Sequence, residues 1–160
     1  MGRSNLDSKR YEEAYRYYSR YFNLMEASGE LDVNDMHRMG HVLWMIGRKE
    51  EAQHYFQEMI YHCKRHIEIN SSYGRGTAFY DLAGVYAFLG ETDSAYNYLE
   101  EFSKTNFQIF ALLNMLKISD PLFESIRQED RFQKLLRDME DKYQAEHERV
   151  RKWMEENDML

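Results

Sequence analysis

The run from Met36 to Phe56, MHRMGHVLWMIGRKEEAQHYF, constrains the fold more than any other stretch of this chain. Met36, Met39, Gly40, Leu43 and Ile46 recur at helical spacing, Gly47 breaks the run, and a second helical period opens with Ala52, Tyr55, Phe56 and Met59. Two helices joined by a tight turn follow from that pattern. Gly40 and Ala52 are small where the two helices must approach, and larger apolar residues flank them to fill the seam. The stretch predicts a packed helical hairpin and carries no catalytic chemistry of its own.

The pattern returns downstream. Phe79, Leu82, Ala83 and Tyr86 precede Gly90, and Ala95, Leu99 and Phe102 follow it. Ala52 lies 16 residues after Met36, Ala95 lies the same 16 after Phe79, and the turn glycine has the same offset in both. These units resemble tetratricopeptide repeats, whose period of about 34 residues carries Trp-x2-Leu-Gly-x2-Tyr and later Ala-x3-Phe. Met39, Gly40, Ala52 and Phe56 carry the first match, and Leu82, Tyr86, Ala95 and Leu99 the second. The chain departs from the pattern where Met36 and Phe79 replace the tryptophan, Leu43 the tyrosine and Ala83 the glycine. No proline closes either unit.

A partial third copy lies upstream, where Lys9-Arg10-Tyr11-Glu12-Glu13-Ala14 parallels Arg48-Lys49-Glu50-Glu51-Ala52 and Tyr18 stands where Phe56 does. Too few residues precede it to supply a first helix. The chain is therefore expected either to be the carboxy-terminal portion of a longer repeat protein or to start with an unpaired helix that caps the array. The resemblance implies an all-α fold, a single tetratricopeptide-like array (an α-α superhelix) over residues 1–160. Its hairpin units fall at about 6–28, 34–69 and 76–104, followed by a helical cap at about 105–158.

Composition agrees with helices. One proline and eight glycines among 160 residues suit continuous helices better than a turn-rich β fold, and no sustained apolar–polar alternation occurs. A formal net charge of −7 argues against sequence-independent binding to nucleic acid, which needs clustered Lys and Arg to neutralise phosphates. No apolar run reaches the length that spans a bilayer, so a soluble region is expected, with the cytoplasm favoured. Cys63 is the single cysteine, which rules out an internal disulfide framework. Its cationic neighbours Lys64 and Arg65 would suit a reactive thiol, and a small buried hydrophobe is the plainer expectation.

In chain order, residues from about Leu6 to Ser28 carry a wide aromatic stripe of Tyr11, Tyr15, Tyr18, Tyr21 and Phe22, expected to be core with hydroxyls at its rim. Asn34 or Asp35 is a candidate cap for the next helix. The alanine spacing stretches from 38 residues (Ala14 to Ala52) to 43 (Ala52 to Ala95), which predicts a long helix over about Lys49 to Glu68 and a connector over Asn70 to Gly76. That connector lacks the spacing and lysine of a nucleotide-binding loop.

His37 with His41, and His62 with His66, are each four residues apart, so both rings of a pair face one way on a helix, as zinc ligands do. A metal protein or enzyme using either pair is the alternative function, but no third ligand stands at helical reach, and the zinc-protease glutamate is missing. No metal, cofactor or catalytic residue is assigned. The resemblance implies instead that the first helices of successive units line a concave groove. It would be formed by Asn34, His37, His41, Trp44 and Met45 in one unit and Thr77, Tyr80, Gly84 and Phe88 in the next. Such an aromatic, nearly uncharged wall suits a partner helix or an extended apolar peptide, with Trp44 and Tyr80 as anchors. The competing expectation is that the chain itself covers part of the wall. A non-catalytic protein-protein interaction module is the function expected.

Past Phe102 the pattern changes. Thr105 to Lys117 reads as an apolar helix, and Asp120-Pro121 is a helix start signal followed by an apolar turn at Leu122, Phe123 and Ile126. Residues 120–127 with 131–135 resemble the segment that closes repeat arrays in multidomain bacterial signalling and regulatory proteins, which implies an output domain elsewhere. From about Glu129 to Asn157 the chain reads as one helix of roughly 40 Å at about 1.5 Å per residue. Its first half should cap the array. Val150, Trp153 and Met154 in its second half form an apolar patch expected to meet another protein, most simply a second copy in a homodimer. The competing arrangement folds this helix over the groove and leaves a monomer.

Overall fold

A computed structural model describes residues 2–29, 35–69, 72–105 and 110–159, with the backbone alone described at 2–9, 72–75 and 110. Among the described residues every regular element is helical. They are α1 (Gly2–Ser28), α2 (Met36–Met45), α3 (Lys49–Glu68), α4 (Ser72–Phe88), α5 (Thr92–Lys104), α6 (Phe110–Asn114) and α7 (Asp130–Glu156). A π turn (Met115–Ser119) and a 3₁₀ turn (Pro121–Phe123) lie between α6 and α7. Where the repeat pattern predicts a single array over 1–160, the fold forms two compact units, Met1–Ser71 and Ser72–Leu160.

In the first unit α2 and α3 form the hairpin that the glycine spacing predicts. Gly47 turns the chain with φ +88°, a left-handed conformation that costs a glycine little, and the Arg48 amide donates back to the Leu43 carbonyl. The seam behind the turn is closed. Leu43, Ala52, Phe56 and Met59 are buried together, and a Cβ built on Gly40 would stand 2.7 Å from the Phe56 ring. The Phe56 ring therefore lies against the α2 backbone, which is why no larger residue fits at position 40. Cys63 is buried in the same stripe of α3, as a small hydrophobe.

Helix α1 packs on this hairpin through its aromatics. Tyr11 meets His41 edge-on at 5.7 Å between centroids, and Phe22 meets Tyr55 at 5.7 Å. The Arg48 guanidinium lies 4.6 Å over the Tyr15 ring while its Nε donates to Glu51 at 2.6 Å. The adjacent Arg48 guanidinium holds the Tyr15 hydroxyl below the usual phenol range. The expected aromatic stripe is thus half-buried, with Tyr17 and Leu24 turned outward.

The second unit repeats the hairpin in α4 and α5, with Gly90 at φ +82° and the Glu91 amide bonded to the Tyr86 carbonyl. Tyr86 and Tyr98 stack at 5.6 Å, nearly parallel. Ala95, Leu99 and Phe102 are buried in the seam. Helix α7 docks on α5 through Phe132, Leu136 and Met139, all buried. At that joint the Tyr96 hydroxyl donates to Glu129 at 2.6 Å, and Arg131 lies 4.2 Å over the Tyr96 ring. Desolvation, reinforced by the Glu129 carboxylate, raises the Tyr96 hydroxyl well above its ordinary pKa. Lys142 closes the contact by donating to the Ser103 and Thr105 carbonyls at the carboxy-terminal end of α5, where a cation is favoured.

Two local expectations are corrected. The connector predicted through Gly76 is shorter, because α4 already begins at Ser72, and Gly76 is a buried helical position despite glycine's poor helix propensity. The helix predicted over 105–117 begins later, since Thr105 is extended, and residues 106–109 lie outside the described set. It also ends later, through the π turn to Ser119. Helices α3 and α7 match their predicted spans within a residue. Of the two candidate caps, Asp35 occupies the cap position of α2 and pairs with Arg38 at 3.2 Å; Asn34 lies outside the described residues.

The seams give a direct test. Gly40→Leu and Ala95→Leu should each lower unfolding free energy by about 1 to 3 kcal/mol, read as a drop in denaturant midpoint at unchanged slope. Exposed Gln57→Leu on α3 should stay within about 0.5 kcal/mol of wild type. Wild-type midpoints in both seam variants would refute the packing described here.

Candidate functional site

The expected groove divides into an α2 face in the first unit and an α4 face in the second. On α2, His37 and His41 are buried, with His41 under the edge of Tyr11 from α1. Trp44 is half-buried, with the Lys49 ammonium 5.0 Å over its ring. Met45 is 45% exposed. The histidines thus form part of an interior, and only the carboxy-terminal end of α2 presents apolar surface.

On α4, Thr77 and Phe88 are half-buried, whereas Tyr80 is 4% exposed. Its ring meets Phe102 at 5.6 Å and Phe123 at 5.4 Å, and its hydroxyl donates to the Asp120 carboxylate at 2.7 Å. Tyr80 is therefore corrected from groove anchor to core residue. The physical reason is twofold: Phe102 of α5 meets one side of the ring, and the segment 120–127 lies over α4 at Tyr80 and Gly84. A Cβ on Gly84 would stand 3.2 Å from Leu122 and 3.3 Å from Phe123, so the small residue lets that segment close.

The covering segment is pinned by satisfied buried polar groups. The second Asp120 oxygen accepts from the Leu122 amide at 3.0 Å and so caps the 3₁₀ turn, as the Asp-Pro start signal predicts. Arg127, also buried, donates from Nε to the Leu116 carbonyl at 3.2 Å and from its other nitrogens to the Asp120 carbonyl and the Glu124 carboxylate. Ser125 donates to the Ala87 carbonyl at 2.9 Å, tying the turn to the end of α4. The signal that could have revealed this is Leu122-Phe123 beside Asp120-Pro121: a capped apolar turn needs a face to cover.

The histidine pairs do not converge with other ligands. His62 lies 3.7 Å from Glu58, His66 is exposed, and no group of three or more His, Cys, Asp or Glu side chains among the described residues is placed to hold a metal. No described helix is long and apolar enough to cross a membrane.

The distal half of α7 carries the other expected contact. Val150 is 40% and Trp153 52% exposed, and Met154 is half-buried. A groove of about 750 Å³ runs along this half of the helix, lined by Thr105, Tyr143, His147 and Val150 among others. Among the expected contact residues, apolar surface therefore remains at the end of α2 and on the far face of α7. Comparison with family models, curated proteins and solved structures found no match to this chain.

The burial of Tyr80 has a measurable consequence. Tyr80→Phe removes the donor to a buried carboxylate and should cost about 1.5 to 3 kcal/mol by chemical denaturation. Arg127→Ala strips donors from two buried carbonyls and should cost at least as much. Wild-type stability in Tyr80→Phe would show that Asp120 is satisfied by water and that the segment is not closed over α4.

Proposed function

We propose that this chain is a non-catalytic protein-protein interaction module of tetratricopeptide-like hairpins, and that it forms part of a bacterial regulator whose output domain lies elsewhere. The observation that carries the reading is the common plan of its two hairpins. Gly47 and Gly90 turn both with positive φ, and Ala52 and Ala95 occupy equivalent seam positions at zero exposure. Repetition of one supersecondary unit builds extended surface rather than an enclosed reaction site.

The contact surface is narrower than an aromatic groove running through both hairpins. Trp44 and Met45 present aromatic and thioether surface at the end of α2, with Lys49 beside them. A tryptophan next to a flexible methionine suits the apolar side chains of a peptide or partner helix.

The test compares proteins retained from cell extract by wild type and by Trp44→Ala/Met45→Glu, followed by calorimetric titration of the purified candidate. A partner bound by wild type and weakened at least about tenfold by the double variant, with unchanged circular dichroism, supports the reading. A candidate bound equally by both proteins places the contact elsewhere.

A further inference from the structure

We propose that the distal half of α7 pairs with the same segment of a second copy of this chain as a two-fold antiparallel helix pair centred between Arg151 and Lys152. This goes beyond the partner contact placed on α2 and is independent of it. The argument begins with the spacing of one face: Phe132, Leu136, Met139, Tyr143, Glu146, Val150, Trp153 and Asn157 alternate at intervals of four and three. That is the heptad seam of a coiled coil. The chain covers the seam as far as Met139 and ties the helix to α5 at Lys142, after which the same face continues for three more turns with Val150 and Trp153 exposed.

Polarity and charge select the occupant and the register. Centred between residues 151 and 152, two antiparallel copies set Val150 against Trp153 of the partner subunit and Glu146 against Asn157 of the partner subunit. Apolar then meets apolar and polar meets polar. On the flank, Arg149, which also donates to Glu146 of its own helix at 2.6 and 2.8 Å, faces Glu156 of the partner subunit, twice by symmetry, while Met154 lies beside the partner's His147. Other pairings are worse. A parallel pair opposes Glu146 to itself, and sliding the antiparallel pair by one heptad toward the body of the fold sets Glu146 against Val150 and Arg149 against Arg149. In the chosen register the overlap spans residues 146 to 157, beginning one turn past Lys142, the residue that ties the helix to the end of α5.

Twelve residues per chain make a small interface, so association belongs to the weak class, with Kd in the range of about 10 to 500 μM. Sedimentation equilibrium on the full chain from about 5 μM to about 1 mM reads it out. The wild type should dimerise within that range, and Trp153→Ser should remain monomeric at unchanged helix content. Arg149→Glu and Glu156→Arg should each weaken the dimer about tenfold, and the two together should restore it to within about threefold of wild type. Glu156→Arg is the sharper arm: it reduces the formal net charge of −7, which on general repulsion alone would favour association. A wild type monomeric throughout overturns the proposal, whether the helix tip stays in solvent or folds back on its own chain. A dimer that the combined variant fails to rescue overturns the antiparallel register.

Discussion

A single carboxylate organises the second unit. Asp120 accepts a hydrogen bond from Tyr80 on α4 with one oxygen and from the Leu122 amide with the other, so it fastens the chain to the hairpin and starts the turn that covers it. A buried carboxylate with fewer partners would be costly, and that cost makes the arrangement specific. Arg127 then bonds the carbonyls of Leu116 and Asp120, closing the loop between the π turn and the 3₁₀ turn. Phe123 can lie against Tyr80 and Phe132 only because the backbone around it is satisfied in this way.

The π turn belongs to the same constraint. The Asp120 amide reaches back five residues to the Met115 carbonyl at 2.9 Å, where an α-helix would reach back four. The wider turn holds one extra residue while keeping Leu116 buried and bringing Asp120 inward. Irregular backbone at this point thus accompanies the buried polar contacts of the segment it introduces.

What the sequence disclosed, and what it withheld, follows from the range of each interaction. Both hairpins, their turn glycines and the spans of α3 and α7 were legible because helical periodicity and left-handed turns are local properties, recorded in runs such as Met36 to Phe56. The partial copy near Ala14 likewise foretold a helix, but not that Tyr11 would cover His41. The fate of Tyr80 was not legible, since its partner Asp120 is 40 residues away and nothing in spacing announces such a pairing. Periodicity set Tyr80 on the face of α4 turned away from α5, yet its ring also meets Phe102 of α5. It could not say whether solvent or chain met that face. The aromatic groove failed at His37, His41 and Tyr80 for this one reason: a stripe is local information, whereas its covering is not.

Helix α7 is unbroken from Asp130 to Glu156, and this has a mechanical consequence. Without a proline or glycine to bend it, the azimuth of its tip is set by the anchorage of Phe132, Leu136 and Met139 more than a turn away. Each inserted residue would rotate the tip by about 100° and advance it by about 1.5 Å, so the phase of the two halves is written in the number of residues between them. Insertion of two residues near Gln144 would turn Trp153 toward nearly the opposite side, whereas insertion of seven would return it to within about 20° of its original direction, roughly 10 Å farther out. The length of this helix therefore encodes an angle as well as a reach.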